Sequence, residues 1–414
     1  MHVLFVHQNF PAQFGPFAFR LARTPGYRCT FVSNKMDGEF RGVRCVKYEV
    51  KGGATEKNHY CSRTFENATW HAAAVHDTLA ARPEIRPDLI VGHSGFGSTL
   101  FLRELYPGVP IVNLFEYFYR TVDSDMDFRP DFPSPSQAQL RARARNAMIL
   151  LDLDNCDLGY CPTQWQLDRF PAEYRPRLRV LFDGIDTDLW KPDPTAPRQV
   201  GDRVIPPGTK LVTYVSRGME SMRGFDVFMR VAKKICDRRA DVLFVVVGQD
   251  RVCYGGDEKF TGGKSFKEWV LSQDSYDLSR FVFTGLMPEP ALAKLLAVTD
   301  LHLYLTVPFV LSWSLMDALS CGAVVLASDT APVREMITHG QNGLLVPFFD
   351  APGFADTACR VFDDPAAFKP LGRAGAELIR EKYALERCLD QFLAMCEETR
   401  RNRPSGRSVG EPAT

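Results

Sequence analysis

Short apolar runs alternate with helical stretches along nearly the whole chain, a rhythm that predicts parallel strands covered by helices. In the first half HVLFVH, YRCTFVSN, DLIVGH and VPIVNLF read as strands, with helices expected over residues 14–23 and 66–81. In the second half the strand candidates are KLVTYVS, DVLFVVVG, FVFTG, DLHLYL and AVVLAS. Gly, Asp and Pro gather between the two series in LFDGIDTDLWKPDPTAP, which marks a domain break. The expected organisation is a domain over residues 1–185, a second over 186–383, a last helical stretch over 384–400 and a polar tail over 401–414. The fold class is α/β: two doubly wound, Rossmann-like domains facing each other across a cleft at the carboxyl ends of their strands.

A length of 414 residues suits two cores of this kind, and 45% hydrophobic with 24% charged residues is ordinary for a globular protein. The 50 basic and 50 acidic residues cancel, so no overall field favours nucleic acid as a partner. No apolar run approaches a membrane span, and MHVLFVHQNF reads as a strand, not a signal peptide. A cytoplasmic protein is expected, with peripheral membrane contact left open. The 11 cysteines include no CxxC and read as reduced, mostly buried thiols, which points to no disulfide or zinc framework.

The chemistry concentrates in residues 301–349. There an apolar strand is followed by the tight loop VPFVLSWS and a helix beginning near Ser312. A helix start after a parallel strand offers free N–H groups and a positive dipole end, a seat for phosphate. Asp317 lies about one and a half turns into that helix, within reach of a sugar hydroxyl beside such a phosphate. The small residues Ala318, Cys321, Gly322 and Ala323 allow close packing of helix on strand. Together these features suggest a nucleotide-type ligand. Upstream, KLVTYVSRGMESMRGFDVF places Arg217 on a loop and Arg223 at a helix start, a clamp for a diphosphate.

The segment MDALSCGAVVLASD resembles the donor-site motif of the retaining glycosyltransferases of family 4. Asp317 stands where the family's second acid binds the ribose of the sugar nucleotide. Phe309 stands in place of its first acid, which faces the transferred sugar, and Val310, Leu311 and Ser312 replace Gly-Phe-Gly. Leu311, Ser312 and Trp313 are thus donor-binding candidates beside Asp317 and Phe309. Arg217 matches the Arg of the family's G-R-x-x-x-x-K-G pattern and Arg223 stands for its Lys. FVFTGLMPEPALAKLLAVTD resembles the stretch whose loop approaches the base, which makes Gly285 and Leu286 base-contact candidates. LFDGIDTDLWKPD resembles the interdomain signature, with Asp183 in place of Asn.

In the first domain the resemblance assigns the acceptor side to Gln13, Phe14 and Gly15, on a loop leading into a helix. DLIVGHSGFGS ends a strand with His93, and GVPIVNLFEYFYR places Glu116 where a sugar-contacting His is common. Glu116 needs a partner or a wet surface, and a salt bridge to Arg120 is the plainer alternative. Residues 249–264 form a long glycine-rich loop of the kind that lines or covers a site, without P-loop order.

The resemblance implies the GT-B architecture, a final helix crossing back to the first domain, and closure on substrate. It also implies transfer of a sugar from a nucleotide diphosphate sugar to an acceptor with retention of configuration, no metal and no cofactor. Positive charge from Arg217, Arg223 and the helix start would stabilise the leaving diphosphate, with Glu116 and His93 facing the reacting groups. Two rivals stand beside it. One is a nucleotide-sugar epimerase or hydrolase using His93 and Glu116 as an acid/base pair; the other is a non-catalytic binding module. The sugar, the base, the acceptor, the pathway and the oligomeric state are not readable from the chain.

Overall fold

The apolar runs become strands because both faces of each are covered. Val242–Gln249 is buried along all but its last residue, and Leu301–Tyr304 and Val325–Ser328 are buried throughout. Each Val, Leu or Phe so enclosed contributes about 1.5–3 kcal/mol relative to exposure. The computed structural model describes residues 1–401; the polar tail expected over 401–414 lies, beyond Arg401, outside the described residues.

The chain divides into two units. The first comprises Met1–Thr121, Ser134–Gly184 and the residues from Leu385 onward; the second comprises Val122–Pro133 and Ile185–Ala384. The chain therefore passes between them at residues 121/122, 133/134, 184/185 and 384/385. The excursion Val122–Pro133 falls inside the stretch assigned from the sequence to the first domain. The helix Leu385–Arg401 stacks Phe392 on Phe17 of the first unit, with ring centroids 4.8 Å apart.

The first unit carries an eight-stranded sheet of β1 (His2–Val6), β2 (Arg28–Ser33), β3 (Gly38–Phe40), β4 (Val43–Lys47), β5 (Leu89–His93), β6 (Ile111–Leu114), β7 (Leu158–Cys161) and β8 (Leu178–Val180). Their order is β3-β4-β2-β1-β5-β6-β7-β8, with only the β3–β4 pair antiparallel. In the second unit β9 (Gln199–Val200) and β10 (Arg203–Val204) form a small hairpin. Its six-stranded parallel sheet contains β11 (Lys210–Gly218), β12 (Val242–Gln249), β13 (Phe281–Gly285), β14 (Leu301–Tyr304), β15 (Val325–Ser328) and β16 (Leu344–Val346), ordered β13-β12-β11-β14-β15-β16.

Both sheets reverse their direction of growth once. In the first unit the reversal lies between β1 and β5; in the second it lies between β11 and β14. At such a switch point the loops leaving the two strands part, and a ligand seat opens at the carboxyl ends. The helices expected over residues 14–23 and 66–81 are Gly15–Ala22 and Arg63–Ala80.

Candidate active site

In the second unit the loops at the switch point are residues 219–224 after β11 and 305–312 after β14. Arg223 connects them. The residue is 7% exposed, and its guanidinium donates to Thr306 Oγ1 at 2.9 Å and lies 5.5 Å from the Tyr254 ring centroid and 6.0 Å from that of Phe309. Among the described residues no carboxylate lies within salt-bridge distance of it. A guanidinium enclosed without a counter-charge is costly, and an arriving anion relieves that cost.

The backbone around Arg223 is locked. Tyr214 Oη donates to the Arg223 carbonyl at 2.8 Å. Gly224 takes φ 62°, and a Cβ there would meet Leu305 Cβ at 2.8 Å, so only glycine fits both the turn and the close approach. Glu220, which the sequence reading passed over, is fully buried. Its Oε2 accepts from the backbone N–H of Cys253 and, at 2.9 Å, of Tyr254. Burial pushes its carboxyl up to about 7, against the pull of those N–H groups and of Arg223. Asp257 holds the same turn, accepting from Ser221 N at 2.7 Å and Ser221 Oγ at 2.6 Å. The glycine-rich loop is thus fastened to the Arg223 turn by Glu220 and Asp257, and it brings Tyr254 against Phe309 at 5.3 Å.

Ser312 caps the helix Trp313–Ser320, its hydroxyl accepting from Ser314 N, while its own N–H donates to Tyr304 Oη at 2.9 Å. Asp317 sits in that helix, half-buried, and its carboxylate has no hydrogen-bond partner among the described residues. Burial, then the nearby Glu289, raises its pKa well above the usual carboxylate range; solvent reaching the side chain softens that rise. Leu311 is buried, Phe309 nearly so, and Trp313 is 41% exposed.

Two expectations need adjustment here. Arg217 belongs to β11 and not to a loop; it is exposed, at a register shift between Val215 and Gly218. Gly285 closes β13, two strands from β11, with φ 68° and open space around it, and Leu286 is 60% exposed.

In the first unit the switch point gathers His7 after β1, His93 at the end of β5 and Glu116 just beyond β6. His93 Nε2 lies 3.4 Å from Glu116 Oε2, a close ion pair outside hydrogen-bond geometry, and Gln13 Nε2 donates to Glu116 Oε1 at 2.9 Å. The opposite ring nitrogen, Nδ1, is 2.9 Å from the Ser94 carbonyl and donates to it. Burial alone would lower the His93 pKa, but the Glu116 carboxylate outweighs it and the net direction is up. For Glu116 burial raises the pKa, and His93 and Gln13 bring it below the usual value. His7 stacks edge-on to His93 at 5.1 Å, and burial followed by His93 lowers its pKa to about 3. His7 was missed, although a His just past the first strand is the same signal that singled out His93.

Glu116 therefore pairs with His93, whereas Arg120 Nε donates to the Arg169 carbonyl. Phe14 is not surface for an acceptor. It is fully buried in a three-residue turn, Ala12–Phe14, with its ring 5.7 Å from Phe5. Gly15 opens the helix Gly15–Ala22, where a Cβ would meet Pro11 at 2.7 Å, so close packing accounts for it.

Among the described residues no group of three or more His, Cys, Asp or Glu is arranged to hold a metal ion, and no helix is long and apolar enough to cross a membrane. Residues 25–190 match the model of the Glycosyl transferase family 4 group, and residues 209–364 that of Glycosyl transferases group 1. Alpha-D-kanosaminyltransferase of Streptomyces kanamyceticus is 24% identical over 234 residues, 56% of this chain and 56% of that protein. The matched stretch thus spans about half the length of such curated relatives. Sucrose-phosphate synthase from Thermosynechococcus elongatus superposes with a TM-score of 0.74 at 18% identity, covering 96% of this chain and 98% of that one. Anabaena HepE, in complex with UDP-glucose, does so at 0.70 and 14% identity, covering 96% and 100%. At those identities the likeness establishes the fold.

Proposed function

We propose that this chain, which belongs to the family 4 glycosyltransferases of GT-B fold, transfers a sugar from a nucleoside diphosphate sugar to an acceptor hydroxyl with retention of configuration. The observation that carries this reading is Arg223, a buried residue with no carboxylate at salt-bridge distance among the described residues, set at the switch point of the second sheet. A diphosphate is the ligand whose charge Arg223 lacks. Arg217 and the start of the helix Trp313–Ser320 add positive potential at the same sheet edge. Asp317, whose carboxyl has no hydrogen-bond partner among the described residues, suits the hydroxyls of a ribose. The UDP-glucose complex of HepE supports a nucleoside diphosphate sugar as donor.

In the transfer the bond between the anomeric carbon and the diphosphate oxygen breaks. The acceptor oxygen bonds to that carbon on the same face, and the acceptor proton leaves with the diphosphate. Charge develops on the departing phosphate, where Arg223 and Arg217 meet it without a metal. His93 and Glu116 neutralise each other and serve the acceptor side, together with Gln13.

The test is incubation of the purified protein with a panel of UDP-, GDP-, ADP- and dTDP-sugars, with and without pooled polyol and glycan acceptors. Acceptor-dependent release of nucleoside diphosphate is expected, with the donor's anomeric configuration kept in the product by NMR. The closeness of His93 and Glu116 favours a second reading, a nucleotide-sugar hydrolase or epimerase. Nucleotide or epimer formation at equal rate without acceptor would select it over transfer.

A further inference from the structure

The excursion Val122–Pro133 carries a short helix, Asp125–Phe128, closed at its start by Ser124 and Asp127 in a capping box. Two aromatic side chains anchor it within the second unit. Phe128 packs on Phe348 and Phe349 at 5.3 Å each, and Phe132 lies among Phe260, Phe266 and Trp269 at 5.4, 5.6 and 5.7 Å.

Between the two anchors sits Arg129, 4% exposed. Its Nε and Nη2 donate to Asp131 at 2.9 and 2.6 Å. Nη1 and Nη2 donate to the two carboxylate oxygens of Asp226 at 3.1 and 2.8 Å, and Nη1 also donates to the Ser221 carbonyl at 2.9 Å. All five N–H donors of the fork are in use. The Ser221 end of this network matters most. Ser221 already gives its N–H and hydroxyl to Asp257, so Arg129 completes its fixation by taking the carbonyl. Two residues further on is Arg223.

We propose that Arg129 is a positioning residue for the diphosphate grip: its saturated fork holds the Ser221 turn so that the Arg223 guanidinium is preset for the phosphates. This rests on the donor reading given above and extends it to a residue whose partners are 92 and 97 positions away in the chain. Lysine cannot replace the fork, because its single nitrogen offers three donors where five are in use. The Arg129 guanidinium also lies over the Phe132 and Phe348 rings at 4.7 and 5.2 Å, so thermal melting is needed to separate loss of docking from loss of positioning. Asp226 is not stranded by loss of Arg129, for Arg230 lies 3.1 Å from the same carboxylate.

The experiment is calorimetric titration of UDP, GDP, ADP and dTDP into the wild type, Arg129→Lys, Arg223→Ala and the double variant, with thermal melting alongside. Arg129→Lys is expected to weaken the nucleotide that binds by about tenfold, the loss that follows from misplacing a preset charge. In the Arg223→Ala background the same change is expected to cost less than about twofold, because Arg129 acts through Arg223. A purely structural role would lower the melting temperature and leave this coupling at zero. Asp226→Asn, which keeps the Arg129 bonds to Asp131 and Ser221, gives a milder second variant with an expected loss of about threefold and the same coupling. Wild-type binding with an unaffected Arg129→Lys, or losses that multiply in the double variant, would overturn the role of Arg129 and leave the donor reading standing. Failure of every nucleotide to bind the wild type would overturn both.

Discussion

The two switch points differ in how their charges are settled. In the second unit, among the described residues, Arg223 is enclosed with no carboxylate at salt-bridge distance, and the Asp317 carboxyl has no hydrogen-bond partner. In the first unit His93 and Glu116 stand 3.4 Å apart and answer each other, with Gln13 on the free carboxylate oxygen. An unanswered cation such as Arg223 stores a cost that an anionic ligand repays; a self-neutral pair has nothing to gain from one. On the proposed function, that difference favours the second unit for the diphosphate and the first for a neutral hydroxyl acceptor.

The largest expected effect is that of Arg223→Ala. Loss of a charge-assisted contact to phosphate should lower nucleoside diphosphate affinity on the order of a hundredfold, read by titration calorimetry. The variant should melt no lower than the wild type, since it removes a buried unpaired charge. Asp317→Asn comes next, with affinity for the nucleotide falling about tenfold while free phosphate competition is unchanged. Its stability carries a sign. The raised pKa of Asp317 means the folded chain holds a proton that the unfolded chain releases from about pH 4 upward. Wild-type stability therefore declines as pH rises toward the folded pKa, and Asn escapes the decline. Melting curves should show the variant pulling ahead of the wild type with rising pH.

A smaller effect belongs to Glu220, whose carboxyl titrates near 7 beside Arg223. A bound diphosphate cancels the pull of Arg223 and raises that pKa further, so binding takes up protons around neutrality. Affinity should fall by about threefold from pH 6 to pH 8. Glu220→Gln should lose this component and keep only the pH dependence of the nucleotide's own phosphate, and calorimetry in buffers of different ionisation heat would show the difference in proton uptake. The smallest effect on the nucleotide is predicted for His93→Gln, within about twofold of wild type although sugar transfer drops. A large loss of nucleotide affinity in that variant would break the contrast between the two units.

How far the chain reveals this depends on the range of the interactions involved. The central strands are legible because burial on both faces writes itself as continuous apolar runs, as in DVLFVVVG. β3 and β8 escape because β3 is exposed throughout and two of the three residues of β8 are exposed, and β16 because it has only three residues. Arg223, Asp317 and His93 stand out through their place after strands and at helix starts, which is local information. Arg129 does not, for its significance lies in partners far along the chain, and nothing around FRPDF announces them. Phe14 shows the opposite error: a loop that leads into a helix looks open in sequence, yet the ring turns inward onto Phe5. Glu220 was in plain view inside the arginine pattern, but its isolation from solvent is a tertiary fact.

The most direct measurement is titration of UDP, GDP, ADP and dTDP against the wild type and Arg223→Ala under one buffer condition. The account predicts that one base is preferred by the wild type and that its affinity collapses in the variant while the fold, by circular dichroism, is intact. Equal binding to both proteins, or none to the wild type, would contradict it.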